Sequence, residues 1–333
     1  MFAPGLQGGE VASVFPAHTA FAAAEPVAAP AASSAPVPEV DGVRYGRYRG
    51  FDALLISAAD ATAAIALSGG HLLSFVPRGQ QEVLWLSPHT ALPPQPTRGG
   101  VPVLWPYFSR QGQRADMPAH GLVRTARWQL RHAARHADGT VTVTLAPPEL
   151  AGLPLSLRMT VRVGRTLEQS LLTTNIGNAP VRFTQALHTY YRVGDLHQVQ
   201  VNGLEGARYR DKHEHFARTY PQHGPLVLAD TSRERGIDRL YAAVSGRYTL
   251  VDPSLRRTIQ LETTGSRSLV AWSPGASAQE RMPDVGTGWR HYLCLEAANA
   301  GEDVVELAAG AQARLTQRIS VTPLTSALSP GTP

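Results

Sequence analysis

From Asp52 onward the chain reads as short apolar runs divided by turn residues. Leu54-Leu55-Ile56, Ala64-Ile65-Ala66-Leu67, Leu72-Leu73-Ser74-Phe75-Val76 and Val83-Leu84-Trp85-Leu86 are set apart by breaks such as Gly69-Gly70 and Pro77-Arg78-Gly79, the chemistry of strands and turns. Two stretches alternate without interruption. Val141, Val143 and Leu145 interleave with Thr140, Thr142 and Thr144, and Leu155, Leu157, Met159, Val161 and Val163 interleave with Ser156, Arg158, Thr160 and Arg162. A period of two turns one set toward a core and the other toward water. No stretch of about 12 residues keeps the 3.6-residue period of a helix.

The rhythm continues through the second half. Residues 165–176 and 181–191 read as two strands joined by a tight connection at Gly177-Asn178-Ala179-Pro180. Residues 199–201, 248–251, 258–261, 269–272, 292–295 and 313–319 follow as further strands. Many short strands with Gly/Pro turns predict an all-β protein, a large antiparallel β-sandwich forming one domain over residues 43–323. Residues 1–42, with the tract AAAEPVAAPAASSAPVPEV, have little to bury and are expected to be a disordered tail, with a second short one at 324–333. No Lys or Arg precedes Arg44. The segment therefore lacks the charged start of a secretory signal and the arginines of a mitochondrial one.

Composition narrows the function more than the fold. At 43% hydrophobic and 17% charged residues the chain fits a soluble globular protein. No apolar run approaches the ~20 residues of a membrane span, so no membrane partner is expected. A single cysteine, Cys294, forbids an internal disulfide and fits a cytoplasmic location. The formal charge of +5 is carried almost wholly by arginine, because Lys212 is the only lysine. A phosphate-binding lysine loop is absent, and a Schiff-base mechanism would rest on Lys212 alone. The basic residues are scattered among acids instead of forming a stripe, which argues against nucleic acid.

No metal is expected. His213-Glu214-His215 read as a strand would point its side chains to opposite faces, and His132 with His136 has no third ligand in view. The Gly-x-Ser-x-Gly elbow of common hydrolases is also missing. Two groups stand out instead. His188 lies in Gln185-Ala186-Leu187-His188-Thr189-Tyr190-Tyr191, where a strand would put Ala186, His188 and Tyr190 on one face. An imidazole among aromatics there could titrate near neutrality and exchange protons. Glu296 ends the apolar run Tyr292-Leu293-Cys294-Leu295. A partly buried carboxylate costs free energy unless paired, and burial raises its pKa toward that of a useful base. The bland alternatives are a structural histidine and a strand-end glutamate that reaches water.

The most irregular stretch is Thr97 to Trp128, TRGGVPVLWPYFSRQGQRADMPAHGLVRTARW. Its corners, Arg98-Gly99-Gly100, Trp105-Pro106 and Pro118-Ala119-His120-Gly121, suit a rigid rim that aims side chains at a ligand. Arg98 and Arg124 at its two ends are candidates for a shared anion site, since guanidinium forks match phosphate oxygens. Read blandly, they are surface arginines in an arginine-rich chain.

RGGVPVLWPYF followed by PAHGLVR, and then ALHTYYRVGDL, GLEGARYRDK, GIDRLY and LCLEAAN, resembles the glucose-6-phosphate 1-epimerases, the hexose-phosphate branch of the aldose 1-epimerase superfamily. The segments occur in the family's order and span residues 52–321. The resemblance implies a galactose mutarotase-like supersandwich and a cofactor-free mutarotase of D-glucose 6-phosphate, or of related hexose 6-phosphates. It implies His188 as general acid, Glu296 as general base, and substrate contacts from His120 and Asp238, with Arg98 and Arg124 on the phosphate. Asp211-Lys212 also matches and reads as a structural ion pair or turn. Where some relatives carry glutamine before the motif histidine, this chain has Ala119, so one polar contact to substrate is missing or supplied elsewhere. The expected partner is a small hexose 6-phosphate, bound by a monomer. The competing readings are an epimerase of unphosphorylated aldoses and a non-catalytic carbohydrate-binding sandwich.

Overall fold

A computed structural model of the protein describes residues 40–228 and 234–324. The expected N-terminal tail lies outside the described residues up to residue 39, as does 325–333 of the C-terminal one. The architecture is all-β, with every strand ladder antiparallel. A nine-stranded sheet runs in the order Leu226–Val227, Gln200–Asn202, Arg247–Asp252, Arg257–Thr264, Gln312–Pro323, Leu167–Asn175, Leu155–Val163, Val141–Ala146 and Gln129–Arg135. A seven-stranded sheet runs Thr219–Pro221, Arg208–Asp211, Ile237–Ala242, Ser268–Ser273, Tyr292–Asn299, Gln185–Arg192 and Val103–Leu104. Val43–Tyr48, Phe51–Ser57, Ala61–Ala66 and His71–Pro77 form a four-stranded meander, and Val181–Phe183 pairs with Val305–Leu307.

The alternating stretches fold as their pattern predicts. In Leu155–Val163 every second residue, from Leu155 to Val163, is buried, while Arg158 and Arg162 are exposed. One continuous apolar core takes side chains from both large sheets, Met159, Val161 and Leu171 from one and Leu187, Tyr191 and Leu295 from the other. A buried polar chain crosses it. Thr189 donates to Gln317 (2.7 Å), Gln317 donates to Gln169 (3.0 Å), and Gln169 reaches the Met159 sulfur (3.1 Å). Each polar group is satisfied by the next, so the chain crosses the apolar core without leaving its own desolvation uncompensated. It ties the strand that carries His188 to the sheet behind it.

Several expectations need correcting. The first strand begins at Val43, ahead of Asp52, and its mostly exposed pattern explains why no alternation marks it. Val83–Leu86 runs beside Gln185–Arg192, with Trp85 N–H on Tyr190 O and Arg192 N–H on Val83 O. It forms isolated bridges instead of a regular ladder, and the Glu82 carboxylate takes the Phe75 and Leu84 N–H groups. The strand expected over 181–191 breaks at Thr184, and its first part pairs elsewhere. Gln129–Arg135, Arg208–Asp211 and Thr219–Pro221 are strands the apolar pattern did not mark. Lys212–Glu214 is a 3-10 turn, so His213 and Glu214 do not lie on a strand.

Candidate active site

The strand Gln185–Arg192 presents Ala186, His188 and Tyr190 on the sheet face opposite that of Leu187, Thr189 and Tyr191, as the period of two requires. Its antiparallel neighbour Tyr292–Asn299 sets Glu296 directly opposite His188 and Cys294 opposite Tyr190. Directly opposed residues share a face and touch, so register alone brings His188 Nε2 to 3.3 Å from Glu296 Oε1. Glu296 does not end its strand. The strand continues to Asn299, and every residue in it is buried. On the next strand Trp272, and on the one after it Asp238, continue the same row as Cys294. Tyr190 stacks flat on His188, with ring centroids 4.8 Å apart and planes within 7°, and Trp272 meets His188 edge-on.

This enclosure fixes the electrostatics. Burial, and then the charges of His120, Arg124 and Arg98, push His188 well below an ordinary imidazole. The direction is opposite to the titration near neutrality expected of an imidazole among aromatics. Burial, followed by the Asp238 carboxylate, pushes Glu296 well above the ordinary carboxylate range, with Lys212 opposing. At 3.3 Å a single proton can sit on either group. Imidazole with carboxylic acid and imidazolium with carboxylate carry the same net charge, so titration belongs to the pair. His188 Nδ1 and Glu296 Oε2 are buried without a protein hydrogen-bond partner among the described residues. A ligand with hydroxyl groups and ring oxygen can satisfy them.

The Thr97–Trp128 stretch forms one wall. Gly100 and Gly121 have left-handed backbone, φ 62° and 85°, and a side chain would run into the Leu72 carbonyl at the first and the Trp105 carbonyl at the second. His120 adopts φ 69° despite its side chain, a costly conformation held here by its surroundings. Its N–H donates to Ser109 O (2.6 Å) and its Nδ1 accepts from Ser109 N–H (3.3 Å). Burial, helped by nearby Arg124, lowers His120 to about 3, so the ring is neutral with its proton on Nε2. It can donate one hydrogen bond to a ligand oxygen. Its ring lies 6.1 Å from that of His188.

The two arginines differ. Arg124 is half-buried, and no carboxylate lies within ion-pair reach of it among the described residues. Arg98 is already engaged, donating from Nε to Asp284 at 2.8 Å and from Nη1 to the Tyr190 hydroxyl at 3.1 Å. Asp284 is missing from any reading of the rim, because it arrives from a distant loop and no local pattern marks it. Asp238 sits in the strand Ile237–Ala242, mostly buried, and pairs with Lys212 at 3.2 Å. It does not pair with Arg239, which lies on the other face, over the Tyr209 ring. Asp211 caps the following turn, accepting from His213 N–H at 2.8 Å. His188, Glu296, Asp238, Lys212, Arg98, Arg124 and His120 thus come together. Among the described residues no group of three or more His, Cys, Asp or Glu side chains could hold a metal ion.

Residues 52–320 match the sequence model of a family described as aldose 1-epimerase. An Escherichia coli K12 protein that carries the name "Putative glucose-6-phosphate 1-epimerase" is 33% identical over 258 residues, covering 75% of this chain and 84% of that protein. A protein of the same name from the plant Cenchrus ciliaris is 27% identical, covering 81% of this chain and 84% of its own. A crystal structure from Salmonella typhimurium, described as a "putative mutarotase", superposes with a TM-score of 0.76 at 29% identity, covering 86% of this chain and 97% of the other.

Proposed function

The chain belongs to the aldose 1-epimerase family, and from that premise we propose that it interconverts the α and β anomers of D-glucose 6-phosphate or a close hexose 6-phosphate. Glu296 takes the proton of the C1 hydroxyl and His188 delivers one to the ring oxygen. The ring opens to the aldehyde, C1 turns about the C1–C2 bond, and the transfers run backward to close the other anomer. Proton in and proton out balance within the pair, so no cofactor takes part. Each well-placed transfer is worth roughly 10²–10⁴ in rate. His120 donates to a sugar oxygen, and Asp238 accepts from sugar hydroxyls beside its Lys212 partner. Arg124 and the open edge of Arg98 take the 6-phosphate.

The observation that carries this reading is the pair itself, a buried imidazole and carboxyl 3.3 Å apart beside an arginine with no carboxylate of its own among the described residues. One observation favours a neutral aldose as a second reading: Asp284 already offsets the charge of Arg98. Exchange NMR on the α and β signals decides between them. Glucose 6-phosphate should exchange far above its spontaneous rate and much faster than glucose at equal concentration. Faster exchange of glucose would move the assignment to unphosphorylated aldoses. Binding of sugar without any exchange would make the site a carbohydrate-binding one.

A further inference from the structure

The arginine side of the site and the catalytic pair are joined by a continuous set of contacts. Asp284 holds Arg98 at 2.8 Å, Arg98 donates to the Tyr190 hydroxyl at 3.1 Å, and the Tyr190 ring lies flat against His188 with centroids 4.8 Å apart. Tyr190 cannot drift from this position. It is 2% exposed and packed among Trp85, Trp272 and Tyr292. Burial pushes its hydroxyl well up, so it stays a neutral phenol.

The charges around the pair are arranged unequally. His188 faces Arg98, Arg124 and His120. Glu296 faces Asp238 and Lys212, which largely offset each other at 3.2 Å. The uncompensated positive charge therefore lies on the His188 side, with Arg124. That charge repels a proton from His188 and leaves it on Glu296. In that arrangement the acid and the base are both disarmed, a neutral imidazole facing a carboxylic acid. Tyr190 acts in the same direction. An aromatic face stabilises a cation stacked on it, and a guanidinium donating to the phenol oxygen withdraws electron density from that face.

We propose that the substrate's phosphoryl group activates the catalytic pair as well as anchoring the sugar: by taking up the charge of Arg124 and Arg98 it moves the proton from Glu296 to His188, with Tyr190 as the positioning residue between them. The proton crosses the 3.3 Å from Glu296 Oε1 to His188 Nε2, and nothing else changes hands. The carboxylate left behind is the base, and the imidazolium formed is the acid. The inference rests on the hexose-phosphate reading given above. It adds that phosphate contributes to turnover as well as to affinity, which is the use of remote binding energy at the reacting centre.

The test separates the two pieces of the substrate. Anomer exchange of unphosphorylated glucose is followed with the intact protein while inorganic phosphite is added, with protein-free samples giving the background at each phosphite concentration. Phosphite should raise the protein-dependent exchange about tenfold at saturation, the effect of one unit in the acid's pKa on its protonated fraction. Arg124→Ala removes both the phosphite anchor and the charge that disarms the pair, so the stimulation should vanish and glucose exchange without phosphite should rise toward the stimulated level. Tyr190→Phe, which keeps the ring and loses the Arg98 contact, should keep binding phosphite and show a stimulation reduced severalfold, with an altered pH profile for glucose. If glucose 6-phosphate is turned over efficiently and phosphite leaves glucose exchange unchanged, the activation is wrong while the hexose-phosphate reading stands. Stimulation that survives Arg124→Ala unchanged also overturns it. If glucose 6-phosphate itself is not turned over, the underlying reading fails first.

Discussion

Two strands of similar length in this molecule obey the same period of two and end in different chemistry. Leu155–Val163 alternates between buried and wet, because one face meets the core and the other meets solvent. Tyr292–Asn299 is buried at every position. One of its faces meets the same core, and its other face is roofed by the Thr97–Trp128 stretch and by aromatics. A polar residue on the outer face of the first strand is merely solvated. A polar residue on the outer face of the second, Glu296, has lost water and faces His188, with Asp238 and Lys212 nearby. The second face of the seven-stranded sheet is thus where desolvated ionisable groups accumulate, and such groups mark function more often than stability.

Substitutions across the two strands give the contrast its largest effects. Glu296→Gln keeps the shape and cannot accept the C1 proton, and His188→Asn keeps a hydrogen bond and cannot deliver one. Each should lower kcat by about 10² or more with little change in KM, because the lost interaction belongs to the transition state. The double variant should lose less than the product of the two. A Glu296→Gln protein that keeps more than about half of its kcat would move the role of base to Asp238.

On the alternating strand the expected losses are of another kind. Met159→Ala removes a fully buried side chain from the core and should cost about 2–5 kcal/mol of stability. Arg158→Ala, on the wet face, should stay within about 0.5 kcal/mol. Denaturant melts measure both, and turnover per folded molecule should hold in each. A drop in turnover for Arg158→Ala would mean that the outer face is not idle.

Arg124→Ala should raise KM for glucose 6-phosphate roughly ten- to hundredfold, the loss of a charge-assisted contact of about 1.5–3 kcal/mol. The KM for glucose should move much less. Equal losses on both sugars would mean that Arg124 shapes the rim instead of reading the phosphate.

The enclosed face also sets the pH profile. The active form holds one proton on the pair. A second proton must go to His188, which burial holds well below 6.5, so the acidic limb of kcat/KM falls below that value. Loss of the shared proton comes from Glu296, held well above 4.5, so the alkaline limb lies above that value. With glucose 6-phosphate the substrate phosphate's own ionisation near 6 is superimposed on these limbs. An acidic limb at or above 6.5 contradicts the pair as described.

The local pattern carried the alternating strands and the shared face of His188 and Tyr190, because both depend only on neighbours two apart in sequence. It could not carry register. Nothing near His188 says that Glu296 lies opposite, and only the resemblance joined them. Sequence adjacency does not give the partner of Asp238. In a strand, adjacent residues face apart, and the true partner, Lys212, comes from a neighbouring turn. Asp284 was invisible for the same reason, since it meets Arg98 from 186 positions away. The strand Val43–Tyr48 was missed because it is mostly exposed and shows no buried stripe.

The smallest effect expected is none at all. Removing residues 1–39 should leave both strands, and hence the melting temperature and turnover, unchanged. A fall of several degrees in melting temperature would give that segment a place in the fold.

Lys212, paired with Asp238 and 56% exposed, is the only lysine in the chain. Reagents that seek primary amines therefore have one side-chain target besides the terminal amine, and it stands at the edge of the candidate site. Coupling the protein to a support through amines would either tether it by its terminus or obstruct the site, with no neutral third choice. The same position gives a spectroscopist a single addressable handle. A probe placed on Lys212 would report changes around Asp238 with no other lysine to confuse the signal.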